Sequence, residues 1–354
     1  MIVHICCSVD SHYFLQQLKK SYQNEKLIGF FYNPNIHPYS EYMLRLQDVR
    51  YSCDMLSIEL IVGEYDINSW LEATKDYKNE PEKGKRCDLC FENRLSNTIK
   101  IAKQYGEKSF TTTLLMSAKK SQEKLKTIGD KLQQKHNIEF VFEDYRVSNG
   151  IANQSLETKK AKLYRQNYCG CLYALSAQRH SQDKFASELI SNIGRQVLPN
   201  SIEEKLSLYA TKNKKNININ IIKINFLNYR LFSAYVKVSQ ITVPSYFLIY
   251  SHIVEKSTDT KIEFEKDGLV YTKNSVAVVL NIDKLNHELN TNYKNTKELI
   301  YSPPTYHQEQ NLRQKITNTP YNNIAIIVLD TIPKQKFFIY CDSLIYDDTK
   351  EIFI

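Results

Sequence analysis

The first 142 residues alternate short β-branched or aromatic runs with stretches of helical period, and this limits the fold more than any other feature of the chain. Met1 to Cys6 (MIVHIC) reads as a buried strand, followed by a polar turn from Cys7 to Ser11. His12 to Tyr22 then carries Phe14, Leu15 and Leu18 on one helical face. Lys26 to Tyr32 is a second buried strand, closed by the loop punctuation Asn33-Pro34-Asn35 and Pro38. Further helical stretches run from Ser40 to Leu56, Ile67 to Thr74, Phe91 to Tyr105 and Glu123 to His136. Strand candidates lie at Leu60 to Val62, Ser109 to Leu115 and Glu139 to Phe142. Strands alternating with helices imply βαβ units and a parallel sheet covered on both faces. Such sheets bind ligands beyond the carboxyl ends of their strands. Cys6 and Cys7 end the first strand, and Thr111 to Ser117 lies at the end of another.

The pattern changes near residue 195. Lys212 to Asn220 (KNKKNININ) reads as a linker entering a strand. Beyond it come IIKINFL, AYVKVSQITV, SYFLIY, SVAVVLNI, NIAIIVLD and KFFIYCD, with a hairpin signal at Asp267-Gly268. The expected division is a first domain over 1–195, a linker over 196–220, and an α+β or mostly β domain over 221–354. A length of 354 residues accords with two domains. The 42% hydrophobic and 24% charged content is that of a globular chain with a real core. No apolar run approaches the ~18 residues of a membrane-spanning helix. The N-terminus has neither a basic n-region nor an apolar stretch of signal-peptide type, so the expected compartment is the reducing cytoplasm.

Reduced cysteines in clusters point to metal binding or redox chemistry. Seven of the eight cysteines lie at or before Cys171, while Cys341 reads as a small buried hydrophobe. Three pairs stand out: Cys6-Cys7, Cys87-Asp-Leu-Cys90 and Cys169-Gly-Cys171. A CxxC pair at a helix start can chelate one metal or cluster, and the helix terminus favours its thiolates. Adjacent residues of a regular strand point to opposite faces. The turn at Cys6-Cys7 must therefore redirect the two thiols, or they serve two neighbouring metals. The CxC pair suits a strained redox disulfide or ligands to two metals, and Gly170 permits unusual backbone angles. Six soft ligands exceed the four of one zinc, which favours iron–sulfur over a zinc site with spare buried cysteines.

The neighbours of these pairs suit a polar, anion-binding site. Asp10 is either a hard ligand or proton donor, or a helix N-cap with Ser11. His37 is a substrate contact or a satisfied loop histidine. Tyr164 and Arg165 suit base stacking and phosphate contact, the alternative being packed helix surface. The net charge of +8 permits a polyanionic partner but does not require one.

Together these stretches resemble the epoxyqueuosine reductase QueH family. The resemblance rests on His4-Ile-Cys-Cys-Ser-Val-Asp10, Phe31 to Tyr39 (FYNPNIHPY), Arg45-Leu, Arg86-Cys-Asp-Leu-Cys90 with Arg94-Leu, Phe110 to Leu115, Asp144-Tyr-Arg146 and Tyr164 to Cys171 (YRQNYCGC). It covers about residues 1–180. Ser8-Val9 stands where the family usually has Ala or Gly and then Pro. The C-terminal half has no counterpart in the usual short members.

The resemblance implies a Rossmann-like domain related to the adenine-nucleotide alpha hydrolases. Their phosphate-binding SGGxDS loop is replaced here by Cys6 to Ser11, which argues against ATP use. It also implies cobalamin-independent reduction of epoxyqueuosine to queuosine at the wobble position of tRNA. The implied cofactors are a [4Fe-4S] cluster and an additional mononuclear iron, served by an electron donor that the sequence does not identify. The first assignment gives Cys6, Cys7, Cys87 and Cys90 to the cluster, leaving Cys169 and Cys171 as a redox-active pair beside a catalytic Asp10. A rival exchanges one of Cys6 and Cys7 with one of the CxC pair, and the leftover cysteines and Asp10 hold the extra iron. Two other classes compete: a zinc-stabilised RNA-binding module, and an ATP-dependent tRNA-modifying enzyme of related fold.

Overall fold

The computed structural model describes residues 1–190, 196–215 and 219–354. Its compact units are Met1–Ala186 with Lys205–Ile219, and Ser187–Glu204 with Asn220–Ile354.

The first unit is built on β1 (Ile2–Ile5), α1 (Ser8–Ser21), β2 (Ile28–Phe31), α2 (Tyr39–Met55), β3 (Glu59–Val62), α3 (Ile67–Thr74) and α4 (Lys85–Gln104). It continues with β4 (Ser109–Thr112), α5 (Gln122–His136), β5 (Glu139–Phe140), α6 (Gly150–Lys160), α7 (Leu172–Ser181) and α8 (Ile202–Lys215). All strand pairs of its sheet are parallel, in the order β3-β2-β1-β4-β5. This is the Rossmann-like α/β architecture with a reversal of strand order at β1. β1 reads as an unbroken buried run because helices cover both faces of the sheet. Around it pack Ile2, Val3, Ile5, Phe14, Leu15, Phe31, Leu95 and Phe110.

Several local expectations are corrected. The polar turn at Cys7 to Ser11 is absent: α1 starts at Ser8 with Cys7 as its N-cap residue, so Asp10 lies in the first turn and is not the cap. The strand at 109–115 stops at Thr112, whose side chain accepts from Leu114 N at 3.2 Å and turns the chain into a 3-10 helix. The YRQNY run is loop, not helix surface. The 196–220 segment holds α8, in which Tyr209 and Lys212 are buried. Its Lys/Asn richness reads as a linker because burial of a lysine by a distant carboxylate leaves no local trace.

The second unit has β6 (Ile221–Val238), β7 (Ile241–Val243), β8 (Ser245–Phe247), β9 (Ser257–Thr260), β10 (Ile262–Lys266), β11 (Leu269–Thr272) and β12 (Ala277–Asn281). It closes with α9 (Ile282–Leu289), α10 (Thr296–Tyr301), α11 (Tyr306–Thr317), β13 (Ala325–Leu329) and β14 (Phe337–Phe353). One sheet is mixed, in the order β10-β11-β12-β13-β8, and the other is antiparallel, in the order β7-β6-β14-β9. Asp267 and Gly268 both take positive φ, 54° and 75°, in the tight turn between β10 and β11. Side-chain alternation along β13 separates two cores. Ala325, Ile327 and Leu329 meet Val236, Phe337 and Ile339, whereas Ile326 and Val328 meet Leu285, Leu299 and Leu312 of the helices. The unit is therefore α+β. Among the described residues no helix is long and apolar enough to cross a membrane.

Candidate active site

A cavity of about 790 Å³ opens beyond the carboxyl end of β1, lined among others by Cys6, Cys7, Asp10, Lys120, Gln166 and Cys169. Its place at the strand-order reversal is where an open parallel sheet leaves room between diverging loops. Because Cys7 is already the N-cap, the chain turns between the two cysteines. Their sulfurs lie side by side, 3.7 Å apart. Asp10, one helical turn into α1, brings Oδ2 to 3.7 Å from Cys6 Sγ. The ligand atoms of Cys6, Cys7 and Asp10 all lie within 4.8 Å of one another.

Gln154 of α6 donates to Asp10 Oδ1 at 2.8 Å, and Gln166 donates to Cys7 Sγ at 2.9 Å. Burial raises the Asp10 pKa, with hydrogen bonds from Cys7 and Gln154 opposing. The Cys7 thiol is pushed well above its ordinary value by the hydrogen bond to Cys6, then by burial and the Asp10 charge.

Cys87 and Cys90 sit in the first turns of α4, beside the CxC loop. Cys90 and Cys171 share a small core with Trp70 and Ala174. Burial raises the Cys87 thiol, and the neighbouring Cys169 charge adds to this. Burial, then the charge of Cys169, pushes Cys171 up to about 12. Cys169 goes the other way. Burial opposes its ionisation, but Lys120, Arg94 and Arg45 outweigh burial and hold the thiol below its usual value. Lys120 Nζ lies 3.3 Å from Cys169 Sγ. The cavity lining thus carries one thiol, Cys169, that ionises more readily than usual, and two residues away Cys171 is held protonated by burial.

Buried charge holds the CxC loop in place. Arg45 of α2 is paired with Glu41 at 2.7 Å and donates to the carbonyls of Tyr168 (3.0 Å) and Cys169 (3.1 Å). The Gly170 carbonyl accepts from His37 N at 2.8 Å, and the Tyr168 hydroxyl donates to the His37 carbonyl at 2.6 Å. Gly170 has φ +103°, and a Cβ there would stand 2.9 Å from Ile36 Cγ1. The position is therefore closed to other residues by both conformation and space. Arg94 fixes the NPN loop through Asn33 (3.0 Å) and Asn35 (3.3 Å).

The residues expected from sequence divide accordingly. Cys6, Cys7, Asp10, Cys169 and Arg165 line the cavity; Cys87, Cys90 and Cys171 are outside its lining, Cys90 and Cys171 in the small core against which Cys169 packs. Tyr164 is buried, its hydroxyl donating to Glu41 at 3.0 Å, so it serves the loop and faces no cavity. His37 also lies outside the lining, and its backbone anchors Gly170 and Tyr168. Sequence reasoning gave no role to Lys120, Gln154 or Gln166. The doublet Lys119-Lys120 just past β4 marks the cation, but only the fold brings it to Cys169.

A parallel α/β domain whose strand end opens on a cavity lined by two thiols and a carboxylate within reach of one ion is of the class that can hold a metal through soft ligands. Comparison with known proteins makes the assignment particular. The model of the family described as epoxyqueuosine reductase QueH matches residues 1–177. The epoxyqueuosine reductase QueH of Helicobacter pylori is 38% identical over 98% of this chain and 98% of its own length. That of Thermotoga maritima is 35% identical over 51% of this chain and 92% of its own length. Among solved structures, the U34-tRNA thiolase NcsA of Methanococcus maripaludis with its [4Fe-4S] cluster aligns at TM-score 0.32 and 14% identity. It covers 61% of this chain and 72% of its own length. A likeness that distant carries nothing about the chemistry here.

The chain belongs to the epoxyqueuosine reductase QueH family, and it is an oxidoreductase of queuosine biosynthesis in tRNA. The zinc-stabilised binding module and the ATP-dependent enzyme give way to this assignment. The C-terminal half, without counterpart in short members, is shared along its length with the H. pylori relative.

Proposed function

We propose that this chain reduces epoxyqueuosine at the wobble position of tRNA with two iron centres, one at the Cys6-Cys7 turn and one at the CxxC and CxC pairs. Cys6, Cys7 and Asp10 hold a single iron, while Cys87, Cys90, Cys169 and Cys171 hold a [4Fe-4S] cluster. The observation that carries this division is the 3.7 Å separation of the Cys6 and Cys7 sulfurs beside the Asp10 carboxylate. Tetrahedral bonds of about 2.3 Å to one ion space two sulfurs by about 3.8 Å. The mixed soft and hard donor set would fit iron. The remaining four thiols suffice for a cluster.

Converting the epoxide to the alkene takes two electrons and two protons and releases water. When bound, such centres supply electrons one at a time and a Lewis acid for the epoxide oxygen. The chain's own residues do the rest. Lys120, beside Cys169 at the cavity, is the group that holds and moves a proton. The Arg45 and Arg94 networks keep the lining rigid. Arg165 and Lys119, at the rim, face anticodon phosphates. The wobble base must leave its stack to reach thiols at the cavity floor.

A second reading is favoured by the opposed thiol pKa values. Here Cys169 and Cys171 form a redox-active pair, the cluster rests on Cys6, Cys7, Cys87 and Cys90, and Asp10 acts as the acid. Iron and acid-labile sulfide per chain, measured on anaerobically purified protein, separate the two. The two-centre reading expects about four sulfides and five irons, with the cluster lost in Cys169→Ser/Cys171→Ser. Retention of a full cluster in that double variant, with about four irons in the parent, supports the dithiol. Zinc near one per chain without sulfide overturns both.

A further inference from the structure

Helix α8 lies beyond residue 177, where the match to the family model ends. Its Lys212 ammonium stands 3.7 Å from Asp48 Oδ1, and the two side chains are 3% and 0% exposed. It also donates to the Lys162 carbonyl and lies over the rings of Tyr51 (4.5 Å) and Tyr209 (4.9 Å). Asp48 Oδ2 accepts from the Ser8 hydroxyl and, at 2.8 Å, from Tyr164 N. Tyr209 of α8 packs edge-on against Tyr164 at 5.4 Å.

One buried carboxylate thus joins three places. Ser8 follows the Cys6-Cys7 pair, Tyr164 opens the run to Cys169, and Lys212 comes from a segment outside the family match. A carboxylate taken out of water needs a cation or it gives up its charge and its acceptor geometry. Asp48 has no other cation within ion-pair distance among the described residues.

We propose that α8 is part of the reductase machinery and that Lys212 is a positioning residue acting through Asp48. By neutralising that carboxylate, it keeps Tyr164 N and Ser8 on a common acceptor and fixes the CxC loop against the Cys6-Cys7 turn. The inference rests on the family's reaction but on neither division of the ligands, because Cys169 lies on this loop in both.

The test uses the full chain as Lys212→Met, Asp48→Asn and the double variant. In metal-free protein, mass spectrometry follows alkylation of Cys169 by iodoacetamide, with buried Cys53 and Cys341 as references. In iron-loaded protein, kcat and KM for tRNA are compared. Lys212→Met is expected to speed Cys169 alkylation about 10- to 100-fold while Cys53 and Cys341 stay protected. Its kcat falls with KM unchanged. Adding Asp48→Asn restores both readouts toward the parent, because the amide accepts the same hydrogen bonds and needs no counter-charge. The inference is overturned if Lys212→Met leaves Cys169 and kcat as in the parent. Equal exposure of all three cysteines, or failure of Asp48→Asn to rescue, overturns it too. A parent chain without reductase activity sinks the family reaction instead, and the alkylation comparison still stands.

Discussion

The two units bury charge for different ends. In the first, Glu41–Arg45, Asp48–Lys212 and Lys120 beside Cys169 all border the loops of one cavity. In the second, Arg313 donates to the carbonyls of Ile249 (2.6 Å), Asn322 (2.7 Å) and Ile324 (2.8 Å), and Glu309 accepts from Ile249 N at 2.8 Å. Those contacts tie strands and turns of the same fold to one another. Charge is also divided unequally. Residues 220–354 hold 15 of the 47 Lys and Arg against 14 of the 39 Asp and Glu, so nearly all of the +8 belongs to the residues before them. A buried ion pair is weak evidence of stability by itself, since desolvation offsets its attraction. What distinguishes functional burial is that its hydrogen bonds converge on backbone that must present a reactive group. By that criterion the site belongs to the first unit. Cys341 in the second, donating to the Ser251 carbonyl at 3.3 Å, is a packed thiol.

This contrast can be broken by substitution, starting where the effect is greatest. Cys87→Ala is expected to abolish reduction and lose cluster sulfide. A variant with full activity and no sulfide removes the metal from the mechanism. Asp10→Ala should lower turnover of bound tRNA by about 10²- to 10⁴-fold, with tRNA affinity changed far less. Equal loss of binding, with turnover of bound tRNA intact, makes Asp10 a binding residue only.

In the second unit, Glu309 is a buried carboxyl that bears on stability and not on turnover. Burial raises its pKa to about 7. The folded state therefore keeps a proton that the unfolded chain releases at lower pH, and stability falls as pH rises from about 4.5 through 7. Glu309→Gln should abolish this fall, worth about 3 kcal/mol, in urea titrations across that range. A parent whose stability is flat there refutes the assignment. The smallest effect is expected from Cys341→Ala, about 1 kcal/mol of stability with kcat unchanged. A loss of iron in that variant would move the site's boundary into the second unit.

Much of the first unit is legible in the chain. Parallel strands buried on both faces must be continuous apolar runs, so β1 and β2 announce themselves, and the CxxC, CxC and Cys-Cys pairs stand out by spacing. Helix starts are less legible: α1 begins at Ser8 because the turn falls between Cys6 and Cys7, a matter of backbone geometry at the end of a paired strand. The second unit was legible only as a collection of strands. Its parallel β12–β13 pair, with three helices between, depends on contacts across the 43 residues that separate Asn281 from Ala325.

The sequence alone determined the alternating α/β scaffold, the six paired cysteines with Asp10, and through them the family and its reaction. Those properties are carried by residue type and by spacing along the chain. The tertiary structure decided which sulfurs are neighbours, that Cys169 and not Cys171 is the thiol whose ionisation is favoured, and that Lys212 is buried on Asp48. The last two depend on groups far apart in sequence, Lys120 with Cys169 and Lys212 with Asp48, meeting where water is excluded and a Coulomb contact is worth far more than in solvent.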